Sequence, residues 1–131
     1  MTKRVLDVGN CGPDYMAIRN YLTSHFDCEV IQTHGLADTL AELRTSHFDL
    51  VLVNRKLDAD YSDGIEIVRA IKAEAATQHL PVMLITNFPE HQDAAEAAGA
   101  HRGFGKLEFD LSETKEKLAA ILGSGTSSPG R

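Results

Sequence analysis

The stretch that decides the fold is FDLVLVN, residues 48–54, in which four consecutive apolar side chains, Leu50 to Val53, precede Asn54. A strand with one face in water alternates apolar and polar residues, whereas a strand covered on both faces is apolar throughout. The run therefore predicts a central strand of a parallel sheet with helices packed on both sides.

Short apolar runs alternate with longer segments of helical period along the rest of the chain, as in a parallel sheet wrapped by helices. Further strands are predicted at residues 4–8, 28–31, 81–86 and, weakly, 103–105. Helices are predicted after Pro13, through Leu36, Leu40 and Leu43, and over residues 65–71, 89–98 and 111–122. We expect one three-layer α/β domain, a doubly wound five-stranded parallel sheet, over residues 1–122. The Gly- and Ser-rich residues 123–131 are predicted to be a flexible tail or linker.

The composition argues against several classes of function. The 131 residues include 13 basic and 19 acidic side chains, a net charge of −6, whereas nucleic-acid binding needs a clustered basic surface. No apolar run approaches the length of a membrane span, and the amino terminus does not resemble a signal peptide. Cys11 and Cys28 have neither metal-site spacing nor the number needed for a disulfide framework. We expect a cytoplasmic protein that binds neither nucleic acid nor membranes.

The ends of the predicted strands are the natural place to look for a site, because open parallel sheets bind ligands beyond the carboxyl ends of their strands. These ends carry Gly9 and Asn10 after the first strand, Asn54 after the third, Thr86 after the fourth and Lys106 after the fifth. The sequence thus predicts one site that contains two amides, a hydroxyl and an ammonium group.

This arrangement resembles the receiver domain of two-component response regulators. The resemblance rests on FDLVLV at 48–53 with the later Asp63-Gly64, on LPVMLIT at 80–86, and on Ala98-Gly99-Ala100 ahead of Lys106. It implies a flavodoxin-like fold. In that family, an acidic pair after the first strand holds Mg²⁺ and an aspartate after the third strand accepts a phosphoryl group.

The resemblance also implies that this site is degenerate. The positions that match the acidic pair are Gly9 and Asn10, and the position that matches the phosphoacceptor is Asn54. Magnesium prefers anionic oxygen ligands, and an amide is not the carboxylate nucleophile that forms an acyl phosphate. We expect a pseudo-receiver with no catalytic residue, metal or cofactor, which is not an enzyme.

Other family positions are partly retained. Thr86 and Lys106 keep the hydroxyl and ammonium groups that contact the phosphoryl group in the family. Leu107 replaces the usual proline, and the position of the family's switching aromatic falls on Gly103, one residue before Phe104. The usual coupling of the hydroxyl to an aromatic side chain is therefore not expected here.

Family members commonly signal through the surface of the fourth helix, fifth strand and fifth helix, and the resemblance implies the same surface here. In this chain it comprises Ala94 to Ala98, Phe104, Glu113 and Lys117. The predicted function is phosphorylation-independent protein interaction in bacterial signalling. Candidate partners are a histidine kinase, an output protein or a second copy of the chain.

Three alternatives stay open from the sequence. Lys106 is either an inherited residue, solvated or paired to a nearby carboxylate, or, with Arg55 and Lys56, part of an anion site. Asp7, inside a buried strand, is either a satisfied core carboxylate, for which Lys106 is a candidate partner, or a cryptic phosphoacceptor, and the first interpretation is favoured. VLDVGNCG at 5–12 also resembles the glycine-rich loop of S-adenosylmethionine-dependent methyltransferases, although Thr33-His34 stands where those enzymes place an acidic residue.

Overall fold

The computed structural model of the protein describes residues 2–123, which contain five strands, five α-helices and one short 3-10 helix. The strands are β1 (Lys3–Val8), β2 (Cys28–Thr33), β3 (Leu50–Asn54), β4 (Val82–Ile85) and β5 (His101–Phe104). The helices are α1 (Gly12–His25), α2 (Leu36–Thr45), α3 (Gly64–Ala73), α4 (Pro89–Ala97) and α5 (Ser112–Leu122), with the 3-10 helix at Lys106–Glu108.

The five strands form one parallel sheet in the order β2-β1-β3-β4-β5. In the register of the central strands, Val5 lies opposite Leu50 and Val51 lies opposite Val82. The predicted doubly wound, flavodoxin-like α/β fold is confirmed. All five carboxyl ends of the strands therefore point to the same edge of the sheet.

Strand β3 is buried on both faces, as its apolar run predicts. Val51 and Val53 pack in a core with residues of α2, α3 and α4, whereas Leu50 and Leu52 pack in a second core with residues of α1 and α5. Burial of each such aliphatic side chain contributes about 1.5–3 kcal/mol, so the two cores supply the main stabilisation of the sheet.

Several helix residues predicted to be apolar contacts are exposed. Met16, Leu36 and Leu111 each have more than two-fifths of their surface in solvent, at 46%, 44% and 45%. Leu111 precedes α5 instead of lying in it, and Thr114 takes the inward position on the first turn, where its hydroxyl donates to the Glu108 carbonyl at 2.7 Å. A periodic pattern alone did not reveal where this helix begins.

Strand β5 is longer than predicted and contains a β-bulge. Met83 pairs with His101 and Ile85 pairs with Phe104, so two residues of β5, Arg102 and Gly103, stand opposite one residue of β4. A side chain at Gly103 would collide with the carbonyl oxygen of Leu84, so the close approach requires glycine. The bulge turns Phe104 fully into the core between the sheet and α5.

A buried amide from α4 holds this bulge. Gln92 accepts a hydrogen bond from the Gly103 N–H at 2.8 Å and donates to the carbonyls of Leu84 at 3.0 Å and Thr86 at 3.2 Å. All three hydrogen bonds are buried, so removing the amide would cost the backbone groups at the bulge these contacts in a place that water does not reach.

The predicted tail, apart from Gly123, lies outside the described residues. Among the helices of residues 2–123, none combines the length and the apolar character needed to cross a membrane.

The substitution Gln92→Ala is expected to destabilise the fold by about 2 kcal/mol or more, because it removes three buried hydrogen bonds between α4 and the β4–β5 region. Urea unfolding followed by circular dichroism measures this change. Glu90→Gln on the exposed side of the same helix is the matched control, and equal midpoints for the two variants would contradict the bridging role of Gln92.

Candidate functional site

The carboxyl edge of the sheet holds a cavity of about 200 Å³ that contains three of the predicted site residues. Asn54, Thr86 and Lys106 line it together with Arg55, Lys56, Ile85, Asn87 and Phe88. We call it the cationic cavity, because its lining includes three basic side chains and no acidic one. Gly9 and Asn10 also lie at this edge, at the end of β1, but they do not line the cavity.

Gly9 is closed off by the loop after β3. It has a φ of +80°, a conformation that favours glycine, and a side chain there would collide with the buried Leu57. The Asp58 N–H donates to the Gly9 carbonyl at 2.9 Å, which fixes the loop against β1. Leu57 therefore occupies the space that a carboxylate at position 9 would need.

Asn10 turns inward toward Asp7. Its Nδ2 donates to the Asp7 carboxyl at 2.5 Å, and both residues are buried, at 1% and 0% exposure. The second carboxyl oxygen of Asp7 and the Oδ1 of Asn10 have no partner within the described residues. A proton on Asp7 would give one of these oxygens a donor.

Burial raises the pKa of Asp7 to about 7, against the opposing effects of the Asn10 hydrogen bond and the Lys106 charge. The nearby Asp14 raises it further. The predicted Asp7–Lys106 pair is wrong. Instead, the carboxyl group lies buried in the sheet with the Asn10 amide as its hydrogen-bonding partner, and it stays protonated to a higher pH than an ordinary aspartate.

Lys106 pairs with Asp14, a residue that the sequence argument missed. The Lys106 ammonium donates to the Asp14 carboxylate at 2.8 Å, and this hydrogen bond lowers the pKa of Asp14. Asp14 lies in the first turn of α1, directly after Pro13. Its position in a helix N-terminus beside a strand end was the signal that could have identified it.

The two polar strand ends, Asn54 and Thr86, make local hydrogen bonds. The Asn54 amide donates to the Lys56 carbonyl at 2.6 Å, which stabilises the turn after β3. The Thr86 hydroxyl accepts from the Phe88 N–H at 3.2 Å and so shapes the loop before α4. Both contacts position residues of the cavity lining.

The basic side chains differ in how they are compensated. Lys56 pairs with Asp63 at 2.6 Å, and this contact lowers the pKa of Asp63. The Arg55 guanidinium lies over the Phe88 ring at 5.8 Å from its centroid and makes no ion pair with the described residues. The cavity therefore has a local positive charge, although the whole protein carries −6.

The residues at this edge do not fit a magnesium ion. Gly9 offers no ligand and is covered by Leu57, and the free oxygen of Asn10 is buried beside Asp7. Across residues 2–123, no group of three or more His, Cys, Asp or Glu side chains is arranged to hold a metal. Magnesium needs several hard oxygen ligands and usually one or two carboxylates, whereas here Asp7 is buried against Asn10 and Asp14 is paired with Lys106.

Comparison with known proteins identifies the family. The model of the response regulator receiver domain matches residues 14–108, more than half of the chain. The protein belongs to the response regulator receiver domain family. Such receiver domains are signalling modules of two-component systems and interact with kinases or output proteins.

The sequence relatives are chemotaxis proteins. The chain is 29% identical to CheY of Pseudomonas aeruginosa over 84 residues, 63% of this chain and 66% of that protein. It is 31% identical to CheY-3 of Vibrio cholerae over 84 residues, 63% of each. The chain thus matches less than two thirds of the length of these relatives.

Solved structures show the same fold. The phosphorylated cyanobacterial phytochrome response regulator RcpA superposes with a TM-score of 0.74 at 19% identity, over 96% of this chain and 98% of that one. CheY4 of Vibrio cholerae gives 0.72 at 20% identity, over 93% and 100%. The receiver domain of a sensor histidine kinase from Pseudomonas aeruginosa, which has a magnesium ion in its active-site cleft, gives 0.74 at 18%, over 95% and 100%.

The methyltransferase alternative has no support. The family match is to receiver domains, and Leu57 fills the space next to Gly9 in the loop that would have to approach a cofactor. The glycine at position 9 is explained by its positive φ and by this close contact.

The titration of Asp7 predicts how stability depends on pH. Because its pKa is higher in the folded protein (about 7) than the ordinary 3.8, the folded state binds more protons between these values. Stability is then lost as the pH rises from about 4 to 7. Asp7→Asn should remove this loss, with a relative gain on the order of 4 kcal/mol at pH 8 and little gain at pH 4.

Urea unfolding of both proteins at several pH values tests this prediction. The difference between them isolates Asp7, since the six histidines are common to both. A difference that does not change with pH would show that Asp7 is ionised in the folded protein at low pH.

Proposed function

We propose that this receiver domain is a pseudo-receiver, which acts through protein contacts without being phosphorylated. The observation that carries the proposal is the chemistry at the strand ends. Gly9, Asn10 and Asn54 stand where the resemblance places the acidic pair and the phosphoacceptor, and none has a carboxyl group. The amide of Asn54 cannot act as the carboxylate nucleophile of acyl-phosphate formation.

The surroundings of these residues support the same conclusion. The contact between Leu57 and Gly9 leaves no space for an acidic side chain, and the Asn54 amide is engaged by the Lys56 carbonyl. The change thus extends beyond one substituted residue. The resemblance places one residue of the family's acidic pair at Gly9, and Leu57 of the loop after β3 lies against that residue.

The β4–β5 region supports a single constitutive conformation. Gln92 ties α4 to β4 and to the bulge of β5, and Phe104 is fully buried beside it. A ligand shifts a conformational equilibrium only by its differential affinity for the two states. Without a phosphoryl group to bind one state preferentially, the domain is expected to present the same surface at all times.

We propose that the docking surface is formed by α4, β5 and α5. Arg102 of β5 forms ion pairs with Asp93 and Glu96 of α4, both at 2.8 Å, and Lys117 of α5 donates to the Gly103 carbonyl at 3.0 Å. These contacts join the three elements into one surface. The partner would be a histidine kinase, an output protein or a second copy of the chain.

The structure corrects which residues this surface offers. Ala95 and Phe104 have no exposed area and belong to the core, whereas Ala94 and Ala97 are exposed. An apolar groove of about 340 Å³ runs between β5 and α5 and is lined by Met83, His101, Arg102, Lys117, Ala120 and Ile121. Exposed Ala120 is therefore a better probe of docking than Ala95.

Beryllofluoride with Mg²⁺ is expected to cause no Mg²⁺-dependent amide shifts, and acetyl phosphate is expected to leave the intact mass unchanged. Both expectations follow from the absence of a carboxylate at positions 9, 10 and 54. Two-dimensional NMR and mass spectrometry measure them, with a receiver domain that carries the three aspartates as the positive control. Saturable Mg²⁺-dependent shifts at Asn54 and Thr86 would disprove the proposal.

Ala120→Glu is expected to weaken association by tenfold or more without changing the melting temperature appreciably, because it places a charge in the apolar groove. Sedimentation velocity measures self-association, and affinity capture from the native host measures retention of a heterologous partner. Ala41→Glu, on the exposed surface of α2, is the matched control. Equal association of the two variants would exclude the α4–β5–α5 surface.

A further inference from the structure

We propose that the cationic cavity is a Mg²⁺-independent site that binds a phosphate monoester without forming a covalent bond. The proposal deepens the proposed function and rests on it. In a receiver that is phosphorylated, the lysine that matches Lys106 would instead face a phosphoaspartate. The ligand class follows from the charge, the donors and the rim of the cavity.

Arg55 supplies a positive charge that lies near Asp63 but forms no ion pair with it. Its backbone is fixed on two sides, because the Arg55 N–H donates to the Ile85 carbonyl at 3.2 Å and the Arg55 carbonyl accepts from the Gly64 N–H at 2.7 Å. The guanidinium rests on the Phe88 ring and has no ion pair within residues 2–123. Guanidinium groups bind phosphate oxygens through paired, charge-assisted hydrogen bonds.

Lys56 and Lys106 are held by acids outside the cavity lining. Their partners, Asp63 and Asp14, have 56% and 42% of their side-chain surface exposed. Exposed ion pairs of this kind are worth about 1 kcal/mol or less. A doubly charged phosphate monoester that meets three cations at once can therefore compete for both ammonium groups.

Thr86 adds a neutral donor. Its hydroxyl oxygen already accepts from the Phe88 N–H, and its proton has no acceptor among the described residues. The hydroxyl is thus oriented by the protein and available to a phosphate oxygen in the same cavity. The lining then offers a guanidinium, two ammonium groups and a hydroxyl, and the residues that line the cavity include no carboxylate.

The rim is apolar on one side. Phe88 is 50% exposed and Leu107 is 85% exposed, and the Asn87 side chain joins their two loops by accepting from the Leu107 N–H at 3.2 Å. A phosphate group attached to a peptide could place an apolar neighbour on this rim, whereas inorganic phosphate could not. The two sources of the same ligand chemistry can therefore be told apart.

The test is an NMR titration in EDTA, which removes divalent cations, with sodium chloride at matched ionic strength as the reference. Inorganic phosphate and the peptide Ala-phosphoserine-Leu are the probes. We expect saturable shifts at the amides of Arg55, Thr86 and Lys106 with both probes. Arg55→Gln should weaken binding about tenfold, the effect of losing a charge-assisted hydrogen bond.

Arg69→Gln is the matched control, since Arg69 is exposed on α3, pairs with Glu66 and does not line the cavity. Tighter binding of the peptide, reduced by Leu107→Ser, would assign the phosphate to a partner protein, and equal binding would assign it to a free phosphate. Shifts no larger than those from chloride, or equal effects of the two arginine variants, would overturn the site. That result leaves the beryllofluoride test untouched, so the two proposals fail separately.

Discussion

The parallel pairing of β3, β4 and β5 is the constraint on which the rest of the structure depends. Because Asn54 lies opposite Ile85, and Ile85 opposite Phe104, three separate loops leave the sheet at one edge. Residues more than 40 positions apart thus meet around one cavity. Helices on both faces bury the strands, so the edge is where polar groups can meet solvent and ligands.

Two carboxyl groups lie near this edge, but neither follows a strand end. Asp7 is buried one residue before the end of β1, and Asp14 lies on α1. Neither lines the cavity, whose charged groups are Arg55, Lys56 and Lys106. These three cations are what motivates the proposed anion site.

The bulge in β5 connects this edge of the sheet to the proposed docking surface of α4, β5 and α5. It turns Phe104 into the core and places the Gly103 N–H within reach of Gln92 on α4. The buried Gln92 amide then hydrogen-bonds to β4 and to β5, the two strands that pair at the bulge. Because α4, β4 and β5 share these hydrogen bonds, moving α4 would break several of them at once, which supports the single conformation proposed above.

The sequence by itself determined the fold and the list of strand-end residues, because burial on both faces of a parallel strand leaves a continuous apolar run such as Leu50 to Val53. Only the tertiary structure decided which groups interact there. Lys106 reaches Asp14, Asp7 is left with Asn10, and Leu57 closes the space beside Gly9. Such pairings depend on distances between loops that are far apart in the chain, and periodicity carries no information about those distances.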